Sequence, residues 1–166
     1  MKKALSIFGV LLIVAFIFIQ FMRPSPNAFP ITVADNITSK YFVSDEVQNI
    51  LKISCNDCHS NKTIYPWYSK VQPIAWFLDD HITDGKRHLN FDEFATYSLS
   101  KQYNRFKKIS QMVHDGEMPI YSYTLIHWNA KLDNGQRTII ENWASDGINQ
   151  LEKLYPFDSL HVKNVF

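Results

Sequence analysis

Cys55-Asn56-Asp57-Cys58-His59 contains both cysteines of the 166-residue chain and one of its six histidines. On a helical turn, positions i, i+3 and i+4 share one face, so the two thiols and the imidazole would point the same way. Cys-x-x-Cys-His is the attachment signal of a c-type haem. Cys55 and Cys58 would reach the two vinyl groups as thioethers, and His59 would set a ring nitrogen on the iron from the same side. The cofactor expected is one covalently attached haem c. Three plainer uses of these residues compete. A thioredoxin-like redox pair needs a βαβ context, and no strand pattern precedes Cys55. A disulfide across so small a loop contributes little and leaves His59 without a role. A zinc site needs a fourth ligand, and no second Cys/His cluster has the spacing.

Around this motif the chain reads as short helices. Ser44 suits an N-cap, Asp45 and Glu46 suit a first turn, and Val47, Ile50 and Leu51 recur at helical spacing up to Cys55. A second helix opens at Pro73, runs through Ile74, Phe77, Leu78, His81 and Ile82, and stops at Gly85. Asn90 with Glu93 has the form of a capping box for a short helix through Phe91, Phe94 and Ala95. Ser98 or Ser100 caps the next helix, whose stripe is Leu99, Tyr103, Phe106, Ile109 and Val113, with Gly116 as its end. Asp133 and Gln136 form another capping box, ahead of Ile139, Ile140 and Trp143, with the helix reaching Gly147. Residues 117–132 lack a helical period and read as an irregular loop of the length that often carries function. No alternating run is long enough for a strand.

The N-terminus has a different character. Lys2 and Lys3 precede an uncharged apolar run from Ala4 to Met22, closed by Arg23. Nineteen residues at about 1.5 Å each match the hydrocarbon core of a bilayer. Bulky residues continue to the boundary and no small-x-small site follows, which favours an uncleaved anchor over a cleaved signal peptide. A buried core helix fits poorly, because the run is apolar on all sides. Lys2, Lys3 and the amino terminus outweigh Arg23, so the expected topology is a single pass of the cytoplasmic membrane with the rest of the chain on the periplasmic or outer side. The resulting division is an anchor at 1–23, an extended Pro-rich linker at 24–38, a haem-binding domain at 39–155 and a tail at 156–166.

Charge excludes some functions. The chain has 17 Lys+Arg against 16 Asp+Glu; setting aside Lys2, Lys3 and Arg23 leaves a slightly acidic outer part. Neither a basic nucleic-acid binder nor a highly charged disordered chain fits. No Ser/His/Asp order, phosphate loop or carboxylate cluster marks a second catalytic centre.

The run Cys55-Asn-Asp-Cys-His-Ser-Asn-Lys-Thr-Ile-Tyr-Pro-Trp-Tyr68 resembles the bacterial haem-binding domain family, a small cytochrome-c-like group. The likeness continues through Pro73-Ile-Ala-Trp76, Gly85-Lys-Arg-His-Leu-Asn-Phe91, Gly116-Glu-Met-Pro119, Tyr123 to Leu132, and Trp143-Ala144. It covers about residues 40–147. Two positions depart from the pattern: Ile120 stands where a second proline is usual, and Trp128 where a proline follows the histidine. The resemblance implies an all-α, cytochrome-c-like domain wrapped around one haem, here preceded by one transmembrane helix.

The second axial ligand must come from elsewhere in the chain. Met118 follows Gly116 at the start of the long loop, and the resemblance points to it as well. Met112 lies beside the apolar stripe of its helix and reads as core packing. His81, His88, His114 and His127 compete as ligands, as does an open distal position. His/Met ligation raises a haem potential relative to bis-His, whereas an open site permits ligand or peroxide chemistry. Ten aromatic side chains (Trp67, Tyr68, Trp76, Phe77, Tyr103, Phe106, Tyr121, Tyr123, Trp128 and Trp143) are available to line a haem crevice, with ordinary core packing as the alternative for most. Lys86, Arg87 and the Trp indoles are candidate propionate partners. Arg105, Lys107 and Lys108 read as a solvated basic face that could dock an acidic redox protein. A backbone carbonyl within Tyr65–Pro73 is expected to orient the His59 ring. The reading is a membrane-anchored monohaem electron carrier with an unidentified redox partner and no nucleic acid. A haem-based peroxidase-like enzyme or ligand sensor is the alternative.

Overall fold

The computed structural model describes residues 2–161. Among them the backbone is helical and contains no strand; a single isolated bridge pairs Ala28 with Lys62. The all-α expectation therefore holds. The first helix, α1 (Lys2–Ile19), has no buried residue. It is long and apolar enough to cross a membrane.

The segment after α1 carries no helix, as its prolines dictate, yet it is not a free stalk. Asn27 is buried. Its side-chain amide donates to the Ser60 carbonyl (3.0 Å) and to Thr63 Oγ1 (2.9 Å), and its backbone N–H donates to Tyr65 Oη (2.7 Å). The part expected to be an extended spacer is thus stitched to the loop that follows His59. Ile37, in a 3₁₀ turn at Ile37–Ser39, is already part of the core.

Seven further helices follow. They are α2 (Asp45–Ser54), α3 (Asn56–His59), α4 (Ile74–His88), α5 (Leu99–His114), α6 (Tyr121–Thr124), α7 (Asn134–Leu154) and α8 (Phe157–Leu160). Several ends follow local chemistry. Ser44 Oγ accepts from Val47 N, Ser98 rather than Ser100 caps α5, Asp133 and Gln136 form the capping box of α7, and Gly116 ends the α5 segment with φ of 71°.

Four local expectations are corrected. α4 does not stop at Gly85 but continues to His88, because Gly85 is a point of close approach: a Cβ there would lie 2.8 Å from the Cys58 carbonyl oxygen. α7 likewise passes Gly147, where a Cβ would lie 2.6 Å from the Phe106 ring. Asn90 is not a cap. It is buried, donates to Asn61 Oδ1 (2.8 Å) and accepts from Asp92 N (3.1 Å), and the element after it is a 3₁₀ turn at Phe94–Thr96. The 117–132 loop contains α6 and a 3₁₀ turn at Trp128–Ala130.

The core lies between α5 and α7, the most extensive helix pair, with α2 and α8 against them. Phe106 is fully buried and meets Trp143 edge-on at 5.6 Å and Tyr41 at 4.8 Å between ring centroids, the arrangement that aromatic quadrupoles favour. Leu160 of α8 belongs to this core, so the stretch set apart as a tail is packed that far; residues 162–166 lie outside the described residues.

Candidate functional site

One cavity of about 470 Å³ opens beside α3. Cys55, Cys58, His59 and Met118 all line it. Its wall is apolar, with Leu51, Leu89, Phe91, Ile109, Val113 and Ile140 drawn from α2, the segment after α4, α5 and α7. Asp80, Asp84, His88 and Lys108, all exposed, form its rim. The size falls within the usual range for cofactor pockets.

The backbone positions the motif. α2 ends at Ser54, and Cys55 is not helical (φ −129°, ψ −41°). Its carbonyl then accepts from Cys58 N (3.2 Å) and His59 N (3.0 Å), closing the α3 turn. This break differs from the continuous helical face expected, yet both thiols still reach the cavity. The turn is held from behind. His59 O accepts from Phe91 N (2.8 Å), Asn61 N donates to Asp92 Oδ2 (2.8 Å), and Asn36 Nδ2 donates to Asp92 Oδ1 (2.8 Å).

The His59 ring is oriented by α4, not by the 65–73 segment expected. Its Nδ1 lies 3.0 Å from the carbonyl oxygens of both Gly85 and Leu89. Carbonyls only accept, so Nδ1 carries the proton and Nε2 keeps its lone pair, the tautomer a metal-binding imidazole needs. Burial lowers the His59 pKa, and the two carbonyls oppose that effect only in part. The neutral ring is the favoured form. Gly85 is what lets α4 come this close.

The thiols are not activated. Burial, with the neighbouring Cys58, pushes Cys55 up to about 12; burial, with the Asp57 charge, pushes Cys58 up to about 11. A disulfide oxidoreductase works with a depressed thiol pKa, so this environment disfavours that reading. Among the described residues no group of three or more His, Cys, Asp or Glu side chains is arranged to hold a metal ion.

The loop after α5 also reaches the cavity. Met118 lines the cavity, and Met112 does too, contrary to its reading as core packing alone. The two are tied by Met118 N donating to Met112 O at 3.1 Å. His81 and His88 border the cavity, whereas His114 and His127 do not. His127 instead stacks on Tyr123 (ring centroids 4.3 Å apart, 10° between planes), and its Nε2 lies 2.5 Å from Tyr68 Oη. Tyr123 Oη donates to Asp57 Oδ2 at 2.8 Å. Burial and the Asp57 carboxylate raise the Tyr123 pKa, so the phenol stays a donor.

The basic residues change places relative to expectation. Lys86 Nζ donates to Asn27 Oδ1 (2.7 Å) and sits over the Phe29 ring, while exposed Arg87 pairs with Asp84; neither lines the cavity. Arg105 and Lys108, read as solvated surface, do line it. Arg105 Nε is buried without a hydrogen-bond partner. A buried guanidinium nitrogen left unpaired at a cavity wall fits an anionic group inside. The indole N–H groups of Trp76 and Trp143 are committed elsewhere, to the Met22 and Phe42 carbonyls. Of the ten aromatic candidates only Tyr123 lines the cavity, joined by Phe91. No sequence signal separates Arg105 from an ordinary surface arginine, because it is exposed or buried according to what covers its helix.

Comparison with known families matches the chain to the Haem-binding domain over residues 14–146. No curated protein and no solved structure matches the chain.

Proposed function

The chain belongs to the haem-binding domain family, and from that premise we propose that it is a membrane-anchored monohaem c-type cytochrome carrying electrons outside the cytoplasmic membrane. The observation that carries the proposal is the convergence of Cys55, Cys58, His59 and Met118 on one cavity, with Nδ1 of His59 satisfied by Gly85 and Leu89 so that Nε2 is free. Cys55 and Cys58 would hold the group as thioethers, and His59 and Met118 would bind its iron. Haem supplies one-electron chemistry when bound; the chain sets its potential and keeps water away. Leu51, Leu89, Ile109 and Ile140 exclude solvent, Arg105 would take a carboxylate of the bound group, and the Tyr123–Asp57 bond ties the Met118 loop to the motif. Residues 1–23 anchor the protein, the segment from 24 connects while packing on the domain, and the haem domain of 39–155 takes Ile37 and Leu160 into its core. The apolar α1, which opens with Lys2 and Lys3 and has no buried residue, supports the anchor and its orientation.

Optical spectra of the purified full chain and its Met118→Ala variant test this. A low-spin spectrum with a methionine–iron charge-transfer band, lost in the variant, is the expected result. A band that survives the substitution overturns Met118, and a high-spin wild type favours an enzyme or sensor with an open distal site. Pyridine haemochrome spectra of Cys55→Ala and Cys58→Ala report each thioether.

A further inference from the structure

The end of α1 is clamped to the domain. Gln72 is fully buried; its Oε1 accepts from Trp76 N, and its other polar groups are spent on the residues leaving α1. Its backbone N–H donates to Gln20 Oε1 (2.9 Å), its carbonyl accepts from Gln20 Nε2 (3.3 Å), and its side-chain amide donates to the Met22 carbonyl (2.6 Å). Trp76 Nε1 donates to the same carbonyl at 2.9 Å. Four hydrogen bonds thus join Gln20 and Met22 to Gln72 and Trp76.

This clamp has a geometric consequence. Gln20 is the first residue after α1. If α1 spans the hydrocarbon core, Gln20–Met22 lie in the interfacial layer, which is only about 6 Å deep on each side. Gln72 and Trp76, hydrogen-bonded to them, lie there too. The side chains beside them are apolar and uncovered: Trp67 is 79% exposed, Phe77 52%, Ile74 40% and Trp76 38%. On a face turned to water such a set is costly. At a lipid interface it is favoured, because an indole presents an apolar ring to the acyl chains and an N–H to polar groups. Lys70 and Arg23, close in sequence to Trp67 and Met22, suit anionic headgroups.

We infer that the haem domain rests on the bilayer itself, through the exposed apolar side chains Trp67, Ile74, Trp76 and Phe77 around the start of α4, with lipid headgroups and the upper acyl chains as its partner. The inference rests on α1 being a membrane span. The hydrogen bonds to Gln20 and Met22 then hold the domain in one orientation relative to α1.

Lipid photocrosslinking tests this on the intact haem-loaded chain. The protein is reconstituted into phosphatidylethanolamine/phosphatidylglycerol vesicles containing a diazirine phospholipid labelled near the headgroup, irradiated, digested and mapped by mass spectrometry. Label is expected on α1 and on the 67–77 peptides, and not on Phe42, which is 85% exposed but has no link to α1. The Trp67→Ser/Phe77→Ser variant, which changes exposed side chains only, should lose several-fold of the 67–77 label while keeping that of α1. Label confined to α1, or equal label on Phe42, overturns the inference and leaves the span intact. Absence of label on α1 overturns the span and the inference with it.

Discussion

The Tyr123 hydroxyl donates a 2.8 Å hydrogen bond to the carboxylate of Asp57, so a residue between the two cysteines is joined to the loop that bears Met118. Asp57 is a hub. Its other carboxylate oxygen accepts from Ile64 N (3.0 Å), and its backbone carbonyl accepts from Thr63 Oγ1 (2.6 Å). Both sides of the cavity therefore close on one acidic side chain. A hydrogen bond to a charged acceptor is worth about 1.5–3 kcal/mol.

Tyr123→Phe removes that bond without changing the ring that stacks on His127. Urea unfolding should show a loss of about 1–3 kcal/mol, with faster amide exchange across 118–127 than across α7. In a double-mutant cycle with Asp57→Asn, a coupling energy within about 0.3 kcal/mol of zero would show that the bond does not hold the loop.

Two glycines give a contrast between site and core. At Gly85 an added methyl meets backbone, the Cys58 carbonyl, so α3 and α4 must separate. Gly85→Ala should cost about 1–3 kcal/mol and also weaken haem incorporation, because the Gly85 carbonyl that orients His59 moves. At Gly147 the methyl meets the buried Phe106 ring. Gly147→Ala should cost a similar amount and leave the haem spectrum of the folded fraction unchanged. Equal spectral damage from both substitutions would remove the distinction.

Much of this was legible in the residues and some was not. Ser44, Asp133 and Gly116 act through their own neighbours in sequence, so caps and the α5 end can be read locally. Gly85 and Gly147 could not be read that way. A glycine that ends a helix and one that admits another chain look alike until the other chain is known. The same holds for the partner of His59. It is a pair of main-chain oxygens from Gly85 and Leu89, and carbonyls carry no residue-type signal. Cys-x-x-Cys-His stood out because its chemistry lies within five consecutive residues. Arg105 did not, because its burial depends on α5 facing the cavity.

Tyr41 sets an alkaline limit. Its hydroxyl donates to Gln102 Oε1 at 2.5 Å, and both side chains are buried. Burial, with nearby Tyr155, raises its pKa from 10.0 to about 12. The folded state holds the proton more tightly than the unfolded state does. This contribution is therefore complete below pH 10 and is lost as pH rises from 10 toward about 12. Tyr41→Phe strands Gln102 Oε1 and should cost about 1–3 kcal/mol at neutral pH. The gap between wild type and variant, measured by urea midpoints, should narrow above pH 10. A gap constant across that range would separate Tyr41 from the pH dependence.

Arg105 carries the prediction with opposite signs in two states. In the haem-free chain its buried Nε has no partner, so it is a net burden: an unsatisfied buried donor costs about 1–3 kcal/mol. Arg105→Leu keeps an apolar stem against the cavity wall and removes that burden. The haem-free variant should be as stable as the wild type or more so. With haem in place the guanidinium gains a carboxylate, and the same substitution takes away a charge-assisted bond. The loaded variant should unfold at a lower urea concentration than the loaded wild type, and its reduction potential should fall, because a positive charge beside the iron centre has gone. Lys108→Leu, on the exposed rim, should give a smaller change in the same directions, screened by salt. Loss of stability in both states would make Arg105 a structural residue of α5, and an unchanged potential in the loaded form would remove it from the haem's surroundings.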